Sequence, residues 1–319
     1  TPDLRIANAT LSQLSYVPDE PGTIPLRRHN SDEARPMRRT NDPAWLEQQY
    51  NARAAVPDAA AHIGKWAAAS AHTRAQAPCV LDLPYGDGAG ETLDVFPTTA
   101  ANAPVFVFLH GGYWRALDKS DASFVAPSFT AEGALVVVPN HALAPAVSLE
   151  HITLQLTRAL EWTWRHAAEH GGDPSRIVVA GHSAGGHLAT MMLCCRWKQL
   201  AEDLPAQLVQ GALSISGLYD LEPLRHTPSL QDLGLTPAAV KRLSPAFFPR
   251  PKGKLVAVAG ALESEEFRRQ NQLIRDVWGP TAVPACETLA GVDHFSILRE
   301  LADPGARLHG LARQLLGLA

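Results

Sequence analysis

Val178-Val179-Ala180-Gly181-His182-Ser183-Ala184-Gly185-Gly186 is the stretch that decides the fold of this chain. An apolar run breaks there at a serine with a glycine two residues away on either side, the pattern of a nucleophile elbow. A strand ending at Ala180 must turn sharply into a helix starting near Ala184, and the flanking glycines keep side chains from colliding across the turn. The serine hydroxyl is then left exposed at the strand's C-terminal end. The helix that follows, through Leu193, points its N-terminus at the same place, where unpaired backbone N–H groups and the helix dipole favour developing negative charge.

A lone G-x-S-x-G occurs by chance in many chains, but this one has company. Upstream, residues 104–109 read as a buried strand running straight into His110-Gly111-Gly112-Tyr113-Trp114, where an oxyanion loop of HGG type belongs. Downstream lie an acid candidate, Glu263, and a histidine candidate, His294. Serine, acid and histidine thus occur in the order expected of an α/β-hydrolase.

The rest of the chain fits that frame. From Cys79 onward, short apolar runs alternate with helical stretches: 79–83 and 92–96 flank a hairpin turn at 86–90, then come 105–109, 134–138, 177–180, 211–216, 255–259 and 285–289. Continuous apolar runs separated by helices indicate a mostly parallel central sheet of about eight strands, flanked by helices on both faces. The clearest helix spans 149–170 and is stopped by Gly171-Gly172-Asp173-Pro174. Residues 1–77 carry little strand signal. Prolines break the first half, and two amphipathic pieces, 46–53 and 62–69, flank Pro57. This segment is expected to be an N-terminal helical cap or lid over the sheet's C-terminal edge, with Trp45, Tyr50 and Trp66 either lining a substrate mouth or anchoring the helices. The catalytic domain is expected over 78–319.

At 319 residues and 46% hydrophobic content, the chain can bury a large core. Its net charge of -4, from 28 basic and 32 acidic residues, leaves no electrostatic footprint for nucleic acid. The basic clusters at Arg27-Arg28 and from Arg35 to Arg39 read as solvated surface. Four cysteines, at 79, 194, 195 and 286, show no CxxC spacing and read as reduced core residues, the vicinal pair inside a helix. No apolar run approaches the roughly 20 residues of a membrane span, and no signal peptide is evident. A soluble, cytoplasmic protein is expected, with residues upstream of Thr1 removed or omitted. Its partner is expected to be a small-molecule substrate, with no nucleic acid and no membrane; homo-oligomerisation stays open.

The chemistry follows from what serine lacks. Its hydroxyl is a poor nucleophile near neutral pH, so a base must take its proton during attack. His294, in Gly291-Val292-Asp293-His294-Phe295 after the last strand, can be carried over Ser183 by its loop. Adjacent Asp293 should point away, because the acid that orients the imidazole normally comes from another loop. Glu265 and Glu266 fit the first turn of the next helix, which leaves Glu263 in the turn after 255–259 as the favoured acid; Asp220 is the alternative. The N–H of Ala184 and those around Gly112 and Tyr113 are the expected oxyanion donors, each worth about 100- to 1,000-fold in rate. His110 is expected to brace its loop. A metal site at His110, His182 and His187 lacks matching carboxylate or cysteine spacing, so neither metal nor cofactor is expected.

His110-Gly111-Gly112-Tyr113-Trp114 together with Gly181-His182-Ser183-Ala184-Gly185-Gly186-His187 resembles the hormone-sensitive-lipase-like branch of α/β-hydrolases, and the HGGYW form in particular resembles the kynurenine formamidases (arylformamidases). Residues 216–224, 264–267 and 292–295 resemble that family too, so the likeness covers roughly 45–300. It implies triad roles for Ser183, Glu263 and His294, and oxyanion roles for Gly112, Tyr113 and Ala184. The implied reaction is cleavage of an N-formyl arylamine such as N-formylkynurenine through a formyl-serine. Trp114, Tyr219 and Phe295, with Tyr113, are candidates to contact the aromatic leaving group. One departure stands out: animal members carry aspartate where Glu263 stands. A carboxylesterase using the same residues, and a ligand-binding fold without catalysis, remain alternatives.

Overall fold

The computed structural model describes residues 42–88 and 90–318. The basic clusters and the first 41 residues of the expected cap lie outside them. Eight strands form one sheet in the order β1-β2-β4-β3-β5-β6-β7-β8. They are β1 (Val80–Pro84), β2 (Thr92–Phe96), β3 (Ala103–Leu109), β4 (Leu135–Pro139), β5 (Gly172–His182), β6 (Val209–Ile215), β7 (Lys254–Gly260) and β8 (Ala285–Leu289). β2 pairs antiparallel with both β1 and β4, and every other pairing is parallel. All residues of β3 and β4 are buried, as strands covered on both faces by helices must be. The edge strand β1 breaks that rule and leaves Val80 and Leu81 exposed.

The helices are α1 (Pro43–Tyr50), α2 (Ala52–Ala55), α3 (Ala59–Gln76), α4 (Ala126–Ala131), α5 (Leu149–His166), α6 (Ala184–Leu193), α7 (Pro237–Leu243), α8 (Glu265–Ala282), α9 (Ile297–Ala302) and α10 (Arg307–Leu316). Local chemistry sets their ends. Ser148 caps α5 by accepting the His151 N–H, Glu150 lies in its first turn, and Arg165 and His166 lie in its last, all in keeping with the helix dipole. Ser264 caps α8 in the same way, with Glu265 and Glu266 in the first turn as expected.

Three expectations need correcting. The long helix stops at His166, followed by a 3-10 turn over Ala167–His170 and left-handed Gly171. Gly172, Asp173 and Pro174 already belong to β5, because Gly172 pairs with Ala103 instead of joining the stop. The vicinal cysteines lie beyond α6, Cys194 as its C-cap. All four thiols are free, but only Cys195 is buried.

At the N-terminal side the pattern resolves into three helices. Asp42 caps α1, with Pro43 in its first turn. α1 buries Leu46 and Tyr50, while α3 buries Trp66, whose ring stacks on Phe124 and Phe295. Both helices lie against loops leaving the sheet. Among the described residues, no helix is long and apolar enough to cross a membrane.

Candidate active site

β5 delivers Ser183 with φ +56° and ψ -118°, a conformation a non-glycine residue holds at a cost of about 1–3 kcal/mol. Glycines make the surrounding approach feasible. A Cβ on Gly181 would lie 2.2 Å from the Gly185 carbonyl oxygen, and one on Gly185 would lie 2.1 Å from that of Leu109. One on Gly111 would come within 3.4 Å of the Ser183 Cβ, so the loop after β3 passes directly against the elbow. The Ser183 N–H donates to the Ile215 carbonyl at 2.8 Å, tying the turn to β6.

The loop after β8 brings His294 to the same end of the sheet. Its Nδ1 lies 2.7 Å from Oε2 of Glu263, the glutamate after β7. The other carboxylate oxygen, Oε1, accepts the Gly260 N–H and the Ser216 hydroxyl, each at 2.6 Å. Ser216 is the residue sequence reasoning passed over. It directly follows β6, is fully buried and has φ +51°. Its position one residue beyond an apolar strand was the available signal.

The other acids are committed elsewhere. Asp293 accepts the N–H groups of Phe295 and Ser296 at 2.8 and 2.9 Å. Burial would raise its pKa, but these backbone bonds outweigh that and hold the carboxyl below its usual range. Asp220 accepts the Glu222 N–H at 3.1 Å. Glu266, in the first turn of α8, turns inward to take the Tyr50 hydroxyl at 2.7 Å and pairs with Arg269.

Ser183, His294 and Glu263 are 2, 5 and 7% exposed, so the row is closed to bulk water. Among the described residues no hydrogen bond joins Ser183 Oγ to His294. Such a bond often tightens only once substrate binds. A second link does hold the two segments together: His182 Nε2 lies 2.7 Å from the His294 carbonyl oxygen. Burial, and then the charge His294 can carry, push the His182 pKa well down, so a neutral ring donates its Nε2–H to that carbonyl.

Gly112, Tyr113 and Trp114 all have positive φ, at +96°, +50° and +57°. A Cβ on Gly112 would lie 2.2 Å from the Ala116 carbonyl oxygen, so glycine is required there. Among the described residues no backbone carbonyl takes the Gly112 or Tyr113 N–H. Ala184 opens α6, and its N–H is one of those no carbonyl within the helix can reach. His110 braces the loop as expected, with Nδ1 2.9 Å from the Gly111 carbonyl oxygen and its ring stacked on His141. The His187 Nε2 lies 2.7 Å from the Leu243 carbonyl oxygen, so His110, His182 and His187 face three different carbonyls. Among the described residues no three His, Cys, Asp or Glu side chains are placed to hold a metal ion.

The three aromatics expected to contact substrate are all buried. Trp114 is fully buried with its ring edge-on to His187. Tyr219 is fully buried and donates to Ser214 Oγ at 2.8 Å, beside Gly217. Phe295 stacks on Trp66 and meets the His294 ring edge-on.

A family profile described as the alpha/beta hydrolase fold matches residues 106–268, half of the chain. A kynurenine formamidase from Salmo salar is 30% identical over 80% of this chain and 88% of its own length. A carboxylesterase from Mycobacterium tuberculosis is 41% identical over 34% of this chain and 33% of its own. A crystal structure from Silicibacter sp. TM1040, described as a thioesterase, is 30% identical with a TM-score of 0.73, covering 83% of this chain and 97% of that one. The profile spans the elbow and the loop before it, and relatives covering most of the chain are named as hydrolases, so the chain belongs to the α/β-hydrolase family and is a hydrolase.

Proposed function

We propose that the chain is a serine hydrolase that cleaves the formamide bond of an N-formyl arylamine, of the N-formylkynurenine type. Ser183 is the nucleophile, His294 the base and Glu263 its orienting acid. The observation that carries this is the buried 2.7 Å contact of His294 with Glu263 beside the elbow serine. Ser183 Oγ attacks the formyl carbon as His294 takes the hydroxyl proton at Nε2. The N–H groups of Gly112, Tyr113 and Ala184 receive the oxyanion. Collapse passes that proton from His294 to the departing amine. Water, deprotonated by the same histidine, then attacks the formyl-serine and releases formate. Glu263 stabilises the imidazolium in both halves without itself being protonated. A formyl group needs almost no acyl pocket, which suits so enclosed a serine.

Similarity to the M. tuberculosis carboxylesterase over about a third of the chain supports a second reading, hydrolysis of short-acyl esters by the same residues. A screen separates the two. Rates would be measured on N-formylkynurenine, on p-nitrophenyl esters of increasing acyl length and on acyl thioesters, with Ser183→Ala as control. A formamide preference lost in Ser183→Ala is the expected result. Ester turnover without formamide turnover would replace the first reading with the second. Activity surviving in Ser183→Ala would end both.

A further inference from the structure

The last four carbonyls of an α-helix find no partner within it and need donors from elsewhere. At the C-terminus of α1, two of these are taken by hydroxyls from two different loops. Ser264 Oγ donates to the Gln49 carbonyl at 2.6 Å, and the Tyr113 hydroxyl donates to the Tyr50 carbonyl. Tyr113 belongs to the left-handed turn after β3, and Ser264 directly follows Glu263. The helix end is itself held firmly. The Tyr50 hydroxyl donates to Glu266 at 2.7 Å and accepts from Gln270 at 3.1 Å, Gln49 Oε1 takes the Glu266 N–H at 3.2 Å, and Glu47 takes the Ser229 N–H at 2.9 Å.

We propose that the C-terminus of α1 is a positioning clamp, which fixes the oxyanion loop relative to the acid loop through Tyr113 and Ser264. This rests on the functional reading of Ser183, His294 and Glu263 given above. Two adjacent carbonyls on one rigid turn set the separation of the two loops. An error of about 1 Å in such a separation can cost about 100-fold in rate. Residues 43–50 are then part of the reaction's framework, and not only a cover over it.

Tyr113→Phe tests the clamp, because it keeps the ring and every backbone N–H and removes only the hydroxyl. The kcat on the best substrate is expected to fall about tenfold or more with KM within about twofold, as for loss of an interaction made in the transition state. Labelling of Ser183 by a small fluorophosphonate, which uses the same donors, is expected to slow in parallel. Ser264→Ala reaches the clamp from the other loop, and the double variant is expected to lose less than the product of the single losses. Asp232→Ala, which breaks the surface pair of Arg115 with Asp232 near the same loop, is the control for general loosening and is expected to stay within about twofold. Wild-type kcat and labelling rate in Tyr113→Phe would overturn the proposal, as would a loss confined to KM or one matched by Asp232→Ala. Should Tyr113→Phe fail to fold, Ser264→Ala decides by the same kinetics. A wild-type protein whose Ser183 is not labelled at all would overturn the functional reading instead.

Discussion

The imidazole of His182 is hydrogen-bonded to the backbone carbonyl of His294 at 2.7 Å, so the residue before the elbow serine grips the segment that carries the proposed base. Both rings are buried, with centroids 4.7 Å apart, and Trp66 packs edge-on against the His182 ring. The grip needs a donor at that point and little else. His182→Leu should therefore lower kcat by about 10- to 100-fold through misplacement of His294. His182→Gln, whose amide N–H can reach the same carbonyl, should recover most of the loss. Steady-state kinetics of the pair check this, and an unimpaired leucine variant would refute it.

Glu263 is held from both sides, by His294 on one oxygen and by Ser216 and Gly260 on the other. Glu263→Gln should reduce kcat by about 1,000- to 10,000-fold, since an amide cannot stabilise imidazolium as a carboxylate does. Glu263→Asp is one methylene shorter and must release one side, with a loss of about tenfold or more. Ser216→Ala should cost about 1 kcal/mol in unfolding free energy and a smaller fraction of kcat, because the Gly260 donor remains. A glutamine variant with near-normal turnover would assign the acid elsewhere.

Two glycines with opposite surroundings give a stability test. A methyl on Gly185 would meet the Leu109 and His110 carbonyl oxygens at 2.1 and 2.6 Å, so Gly185→Ala should destabilise by about 3 kcal/mol or more. Gly64, inside α3, has nothing within 4 Å of its would-be Cβ, and Gly64→Ala should stabilise by about 0.5–1 kcal/mol. Urea unfolding of both variants checks the contrast, and equal effects would contradict the packing described for the elbow.

The buried histidines predict how stability depends on pH. Burial pushes the pKa of His187 down to about 4 and that of His141, with help from neighbouring His110, to about 3. A base whose folded pKa is depressed contributes its full stability above its unfolded pKa of about 6.5 and loses it as pH falls through the folded value. Between pH 6.5 and 4 the unfolded chain gains a proton at His187 that the native state refuses, which amounts to about 2 kcal/mol at pH 5. Unfolding at pH 7 and pH 5 should show the loss, and His187→Gln should flatten it by that amount. Equal slopes in the variant and the wild type would contradict this account.

What the sequence made legible were features governed by local rules. The apolar runs marked the strands, most plainly β3 and β4, because inner strands of a parallel sheet covered on both faces carry few polar positions. Glu263 was separable from Glu265 and Glu266 because the start of α8 could be read from its first-turn acids. Contacts between distant segments were not legible. Ser216 reaches Glu263 across 47 residues, and Tyr113 reaches Tyr50 across 63, with no local pattern to announce either. Trp114 and Tyr219 meet a related limit: an aromatic beside a motif looks the same in sequence whether it faces a ligand or the core, and both are fully buried.

The enclosure of Ser183, His294 and Glu263 has a consequence for how reagents would be ranked. If each turnover waits on an opening that admits the substrate, bulky electrophiles fall behind small ones even when their carbonyls are more reactive. Selectivity then reflects the width and duration of an aperture as much as bond chemistry, and thickening the solvent with sucrose would slow the fastest substrates most.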